Sequence, residues 1–527
     1  MIIVREDLQG LVVEGVSTSA DKSVLKTLGA KQIDLSRFVL PGIRASYHRL
    51  VRAFGHHIPL QPPLCSGDKF FDLCSHSKWE DLYDFQQDAV RFLCRSQLRG
   101  SMLCLSPGLG KTAVAIVAAQ GLHLEKILVV APLTLLRTWK REIKAWGGED
   151  AFLVHGIPLD LDLDHRWVVT NYDSVSRHSE AFYRERDLVI IDESILVKSR
   201  GAKRTKALRS VTTKAEKVWA LSGSPTSRYL DDLFSQFQIL LPKAFTSYWR
   251  FSEEYCYVLR DQWGWSVTGS RQNINMQKEF EDIMFVRSMK DVIDLPEELQ
   301  ETIELDLLPG QRVVYDQILR EFKTALACGK ILDVPNRMAQ LVRLQQVTSG
   351  LRSLDLSADD ISSKFDAIEE LLEVGRAEPP VLIWTHWIET GKALIERLQR
   401  HWKVARISSS TSTEERQAII DAFQSEKLQV LIFSIGTGKY GLTLTRANSI
   451  IYCDRSWDAD AVFQSSFRVR RIGLNHSPVV ISLQCPGTVD DLVTENLAGK
   501  LQDIARLTNT DLLSLLSRIE ISHDNTQ

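Results

Sequence analysis

No apolar run in this 527-residue chain approaches the roughly 20 residues that span a bilayer. The first residues, Met1-Ile2-Ile3-Val4-Arg5-Glu6-Asp7, lack the basic-then-apolar layout of a secretion signal. The expected location is therefore the cytoplasm, of a prokaryotic cell or an infected host. Paired cysteines are missing too. The eight cysteines are scattered singly and several sit in apolar strand-like runs, which suits reduced core thiols and not a disulfide frame. His56, His57, Cys65, Cys74 and His76 cluster without a CxxC pair, so they read as loop residues before they read as a zinc site. A global basic field is absent: net charge is −3, and any nucleic-acid site must be a local strip. No solenoid-period repeat and no low-complexity tract appears.

With 44% hydrophobic and 25% charged residues, the chain has the composition of a multidomain globular protein. Residues 1–78 carry no recognisable motif. A helix is expected over 43–52, with Arg44, Arg49 and Arg52 partly on one face, and Pro59-Leu60-Gln61-Pro62-Pro63 reads as a linker. From residue 79, short apolar strands alternate with helices: Met102–Leu105, Ile127–Val130, Val168–Thr170, Leu188–Asp192 and Val218–Leu221. A second series follows at Val381–Trp384, Val430–Phe433, Ser449–Tyr452 and Val479–Leu483. Continuous apolar runs of this length suit parallel strands buried on both faces, so the pattern predicts an α/β fold with two parallel-sheet lobes. Between about 228 and 375 the sequence is helical, charged and aromatic, with no strand series expected.

Two distant segments decide the reading, and an acid pair lies between them. Leu105-Ser106-Pro107-Gly108-Leu109-Gly110-Lys111-Thr112 follows an apolar strand and opens an apolar helix. Gly108 and Gly110 let backbone N–H groups approach phosphate oxygens, and the helix adds its positive end. Lys111 is placed to reach the β- and γ-phosphates of ATP, and the Thr112 hydroxyl to sit on Mg²⁺. Asp187-Leu188-Val189-Ile190-Ile191-Asp192-Glu193 puts two carboxylates at the tip of a buried strand, where a parallel-sheet site opens. Asp192 can hold the Mg²⁺ shell while Glu193 orients or deprotonates the attacking water. About 350 residues after the phosphate loop, Gln464-Ser465-Ser466-Phe467-Arg468-Val469-Arg470-Arg471-Ile472-Gly473 spaces two arginines one helical turn apart. The ordered pair describes a two-lobed, ATP-driven motor. Gly436-Thr437-Gly438-Lys439 looks like a second phosphate loop, but Tyr440 follows it, so it reads as an ordinary loop.

From about residue 79 to 500 the chain resembles the SWI/SNF-like branch of the superfamily-two helicases. Leu82-Tyr83-Asp84-Phe85-Gln86 resembles the adenine-reading segment, which implies that Gln86 contacts the base. The stretch from Val129 to Glu142, including Trp139, Asn171-Tyr172-Asp173 and Leu221-Ser222-Gly223-Ser224-Pro225 match further family segments, the last being the coupling segment. Phe285-Val286-Arg287-Ser288-Met289-Lys290-Asp291-Val292, then Leu295-Pro296, resembles the family-specific segment leaving the first lobe, and Ser362-Ser363-Lys364-Phe365 the start of the second. Ser434, Gly441-Leu442, Leu444-Thr445 and Ala447 match the fifth motif, and Asp454 with Trp457 the one after it. The resemblance implies that Gly108, Leu109, Gly110, Gly441 and Gln464 help bind ATP, and that Arg471 is an arginine finger with Arg468 a second γ-phosphate contact. It also implies two RecA-like lobes: 79–300 with a helical protrusion, a helical linker at 301–360, and 361–500. A small accessory domain (1–78) precedes them and a helical tail (501–527) follows. Ile195 replaces the family histidine, which removes a polar link from the ATP site to the coupling segment. Arg228, Thr443 and Asp458-Ala459 are lesser departures.

The expected DNA contacts begin with the strip Lys198-Ser199-Arg200-Gly201-Ala202-Lys203-Arg204-Thr205-Lys206, dense enough to neutralise several phosphates. Trp457 either braces the duplex or packs between lobes; Thr445 and Ser409 are weaker phosphate contacts. The resulting expectation is a monomeric, ATP- and Mg²⁺-dependent translocase on double-stranded DNA. It would remodel branched DNA or displace bound proteins, beside replication or recombination proteins. A strand-separating helicase, an ATP-gated scaffold with weak turnover and an RNA-directed motor are the alternatives.

Overall fold

Apolar runs shielded on both faces frame the chain, and the first shows it in one strand after another. In the computed structural model the described residues are 3–7, 10–14, 25, 30–32, 38–40, 60–61, 78–96, 98–156, 165–227, 229–261, 264–271, 274–292, 299–327, 334–354, 361–435, 444–454, 456–457, 462, 465, 469, 477–491 and 493–494. They fall into two compact units that part between Val292 and Ile293.

The first unit begins with a small sheet of β1 (Ile3–Asp7), β2 (Gly10–Glu14), β3 (Lys31–Gln32), β4 (Phe38–Leu40) and β5 (Leu60–Gln61), in the order β3-β4-β2-β1-β5. The helix expected over 43–52 and the histidine–cysteine cluster lie outside the described residues. Its main sheet contains β6 (Gly100–Leu105), β7 (Ile127–Ala131), β8 (Phe152–Val154), β9 (Trp167–Asn171), β10 (Arg186–Asp192) and β11 (Ala215–Ser222). A hairpin of β12 (Cys256–Asp261) and β13 (Gly264–Ser270) follows, then β14 (Met284–Arg287), which joins the main sheet. The order is β14-β6-β11-β10-β7-β9-β8, and every pairing in it is parallel. β6, β7 and β9 are buried along their whole length, as their unbroken apolar runs require.

The second unit holds β15 (Leu299–Glu304), β16 (Val381–Thr385), β17 (Val404–Ile407), β18 (Val430–Ser434), β19 (Ser449–Tyr452) and β20 (Val479–Gln484). They form a parallel sheet in the order β15-β20-β19-β16-β18-β17. Alternation along β16 divides the core: Val381 and Ile383 enter one apolar cluster, Leu382 and Trp384 the other. Both faces are thus covered, the condition under which parallel sheets are stable. The helices Pro309–Ala327 and Val334–Ser349 lie between β15 and β16 in sequence.

The two-sheet α/β architecture agrees with the sequence pattern, and the strand-free reading of 228–375 does not. That interval contains the β12–β13 hairpin, β14 and β15. β14 is only four residues long, and both β14 and β15 are edge strands. β15 (Leu-Gln-Glu-Thr-Ile-Glu) mixes exposed and half-buried positions instead of running apolar. A search for continuous apolar runs misses such edges. The expected boundary at residue 300 cuts through β15, which belongs to the second sheet.

Candidate nucleotide site

The phosphate loop leaves β6 at Leu105 and turns through two glycines in the left-handed region, Gly108 at φ +91° and Gly110 at φ +77°. The helix Lys111–Gly121 starts directly after Gly110, and its residues Ala113 to Ala119 are all buried, so its N-terminus is rigidly aimed. The left-handed backbone at Gly110 favours glycine, and a Cβ there would displace the Gln86 amide. Gln86 is buried; its Nε2 donates to the Leu109 carbonyl at 3.0 Å and its Oε1 accepts the Tyr83 N–H at 3.0 Å. The expected base-reading residue is therefore also a strut of the loop. Lys111 Nζ donates to the Leu105 carbonyl at 3.0 Å, and Thr112 stands half-buried beside it in the first helical turn.

Asp192 closes β10 and is buried. Its Oδ2 accepts the Trp139 indole N–H at 2.8 Å, and its Oδ1 accepts the Glu193 backbone N–H at 3.0 Å. Burial pushes its pKa up, opposed by the Trp139 bond, the Lys111 charge and the Glu193 N–H. Each carboxylate oxygen keeps a lone pair beyond the bond it accepts. With the Thr112 hydroxyl, this oxygen donor set suits Mg²⁺, which takes one or two protein oxygens and fills the rest from phosphate and water. Glu193 is held at φ +52°, an uncommon conformation for a side-chain-bearing residue. The Tyr172 hydroxyl fixes that turn by donating to the Asp192 carbonyl at 2.5 Å and reaching the Glu193 carbonyl at 3.3 Å.

The coupling segment packs against the loop itself. A Cβ at Gly223 would lie 2.8 Å from Pro107 Cγ. Ile195, where the family places histidine, is buried and apolar. A polar route survives one residue earlier: Ser194 Oγ donates to Gln236 Oε1 at 2.7 Å, and Gln236 Nε2 donates to the Pro225 carbonyl at 2.7 Å. The exit segment is attached as well, since the Ser106 N–H donates to the Arg287 carbonyl at 3.1 Å and the Met289 N–H to Ser106 Oγ at 3.2 Å. Sequence reasoning assigned no role to Trp139, Tyr172 or Gln236. Trp139 and Tyr172 stood inside recognised segments, whereas nothing local marked Gln236.

The basic strip divides. Lys203 and Arg204 are exposed on the helix Lys203–Thr212. Lys198 bonds to Ser227 Oγ, with Asp232 Oδ2 at 3.9 Å, and Arg200 lies over the Tyr248 ring at 4.1 Å. In the second unit Thr445 is half-buried in a turn and Ser409 is exposed. Trp457 Nε1 donates to Gln345 Oε1 at 3.0 Å and packs against the Leu307–Tyr315–Leu344 cluster of its own unit. Lys364 is buried, and its Nζ meets Asp490 Oδ2 at 2.8 Å. Gly441, Gln464, Arg468 and Arg471 lie outside the described residues.

A glycine-hinged phosphate loop, a strand-tip acid pair and a coupling segment, gathered at the C-terminal ends of the neighbouring strands β6, β10 and β11, suit an ATP-hydrolysing enzyme. The SNF2-related domain matches residues 85–354 and the helicase conserved C-terminal domain residues 363–473. The chain belongs to the SNF2-related family. It is 26% identical over 431 residues to the SWI/SNF-related matrix-associated actin-dependent regulator of chromatin subfamily A-like protein 1 of Xenopus tropicalis, covering 80% of this chain and 44% of that protein. It is 25% identical over 464 residues to the DNA annealing helicase and endonuclease ZRANB3 of Mus musculus, covering 85% of this chain and 42% of that protein. The chain thus spans less than half the length of these relatives. Among solved structures, the Sulfolobus solfataricus SWI2/SNF2 ATPase core in complex with dsDNA aligns at 22% identity and a TM-score of 0.40, over 81% of this chain and 97% of that one.

Proposed function

We propose that the chain is an ATP-dependent translocase on double-stranded DNA that remodels branched DNA or displaces bound proteins in repair, recombination or replication. The observation that carries this is the direct packing of the coupling segment, at Gly223, on the phosphate loop, at Pro107. A change at the bound phosphates is transmitted to that segment without an intervening layer. The names of the relatives, one an annealing helicase, support DNA as the track.

In this reading Lys111 holds the β- and γ-phosphates, and Gln86 joins the base end of the nucleotide to the loop it braces. Glu193, presented by its left-handed turn, orients the attacking water. Thr112 and Asp192 would hold Mg²⁺, which supplies charge neutralisation on the phosphate oxygens. Gly441, Gln464, Arg468 and Arg471 complete the site, the two arginines offsetting charge that develops on the transferred phosphoryl group. The exposed Lys203 and Arg204 contact backbone phosphates, with Thr445 and Trp457 contributing from the second unit. The protein acts as a monomer beside replication or recombination proteins.

The test is ATP turnover with and without linear duplex DNA, paired with triplex displacement and fork unwinding. Duplex stimulation and triplex displacement without unwinding are expected. Lys111→Ala and Glu193→Gln should abolish turnover, and Arg471→Ala should lower it by roughly 10³ while sparing nucleotide binding. Turnover indifferent to DNA would favour a gated scaffold. Strand separation would favour a helicase, and a preference for RNA duplex an RNA motor.

A further inference from the structure

The strip that begins at Lys198 continues into a row of alternating cations and rings within the first unit. Arg200 places its guanidinium 4.1 Å from the Tyr248 ring centroid and 5.6 Å from that of Trp249. Trp249 and Trp265 have ring centroids 6.0 Å apart, and Arg260 lies 5.4 Å over the Trp265 ring. Tyr248 and Trp249 open the helix Tyr248–Tyr255, which leads straight into β12. Arg260 and Trp265 are direct partners across the hairpin. Tyr257, three residues before Arg260 on the same strand, projects from the opposite face of the hairpin, with Arg271 at 5.8 Å over its ring.

A hairpin stabilised only by packing would bury its large side chains. This one leaves Trp265 45%, Tyr257 53% and Leu259 60% exposed, while Arg200, Arg250 and Arg260 reach solvent. A guanidinium stacked on a ring keeps its N–H edge available, and stacking holds that edge in place for a phosphate oxygen. Aromatic faces beside such arginines are the elements of a single-strand platform, in which bases stack and the backbone is neutralised. Duplex bases are already stacked on one another, so exposed rings discriminate in favour of unpaired ones. Glu253 is an exposed acid on the same helix, outnumbered by the arginines.

We propose that the β12–β13 hairpin and the helix before it form a second nucleic-acid site, which takes unpaired bases on Trp249 and Trp265 and their phosphates on Arg200 and Arg260. The site deepens the DNA reading above and rests on it, because the platform continues the strip assigned to duplex phosphates. A translocase carrying it would recognise the place where a duplex opens.

The experiment is fluorescence anisotropy of the full chain with a blunt duplex, a fork bearing unpaired arms, and oligothymidine. The Trp249→Ala/Trp265→Ala variant should bind the fork and oligothymidine roughly tenfold more weakly than wild type. Its blunt-duplex binding and duplex-stimulated ATP turnover should stay within twofold. Trp265→Phe, which keeps a stacking face, should retain most of the wild-type binding. Arg260→Ala should flatten the salt dependence of oligothymidine binding by roughly 0.7 in logarithmic slope, one single-strand phosphate contact. If the double aromatic variant melts early, the single Trp265→Ala, at an exposed strand position, carries the same comparison. Equal losses on fork and blunt duplex, or none on either, would overturn the proposal. Oligothymidine binding lost in the variant while wild-type turnover ignores DNA would overturn the translocase reading and leave this site standing.

Discussion

Trp139 lies on a helix whose other buried residues, Leu136 and Ile143, serve only the core, yet its indole N–H is aimed at Asp192. A neutral donor on one carboxylate oxygen fixes the carboxylate plane and leaves the remaining lone pairs facing outward. Trp139→Phe keeps most of the ring and removes the donor. The expected result is about a tenfold rise in the Mg²⁺ concentration needed for binding a fluorescent ATP analogue, typical of losing an outer hydrogen bond to a metal ligand. The fold should persist by circular dichroism. An unmoved Mg²⁺ midpoint would reduce Trp139 to packing. Gln236 invites a parallel experiment, since it joins Ser194, beside the acid pair, to the Pro225 carbonyl. Gln236→Leu should leave basal ATP turnover within twofold and lower DNA stimulation about fivefold, within the range seen for coupling residues. Equal losses of both would mean a damaged site instead of a broken link.

At the scale of elements, what could be read from the sequence was what is contiguous in it. The phosphate loop needs a strand, two glycines, a lysine and a helix in eight adjacent residues, and the acid pair needs one strand tip. Both stand where the pattern put them. Trp139 and Asp192 are 53 positions apart, and Ser194 and Gln236 are 42 apart. Such pairs exist only once β7, β10 and their helices have packed, and no local periodicity announces them. Edge strands were illegible for a related reason. β15 contacts the sheet on one side only, so it needs no unbroken apolar run, and its largely polar sequence resembles a surface helix or loop. The hairpin β12–β13 was hidden among aromatic residues that the sequence offered without an order. Only the pairing of Arg260 with Trp265 arranges them into a row.

At the scale of the whole molecule, each unit carries its own stabilising logic. In the first, a large apolar cluster running from Met102 to Val286 covers one face of the sheet, and Leu103, Val129, Ile190 and Leu221 are buried on the other. The second divides its apolar side chains between the faces of its sheet and adds a buried ion pair. Burial alone would depress the Lys364 pKa, but Asp490 outweighs it, helped by Cys485, Asp454 and Cys453, and holds it above its ordinary value. Asp490 also accepts the Thr348 hydroxyl at 2.8 Å and the Cys485 N–H at 3.2 Å, so the pair joins the helix Val334–Ser349 to the end of β20. Breaking such a pair by Lys364→Met strands a buried carboxylate and should cost about 3–5 kcal/mol. Lys364→Met/Asp490→Leu should recover much of it. Denaturant unfolding of the full chain checks this, with the loss expected in the transition of the second unit and the first unmoved. A single variant as stable as wild type would show that the pair contributes little. Among the described residues no helix is long and apolar enough to cross a membrane, and the five cysteines are all free thiols.

β14 is the last strand of the first unit before the chain departs at Val292; its Arg287 and, just beyond it, Met289 are each hydrogen-bonded to Ser106. In the translocase proposed above, tension along the departing polypeptide would arrive as a tug on the turn after β6, through a lever only a few residues long. Such a motor would register its own workload, and opposing force would tune how fast it burns fuel.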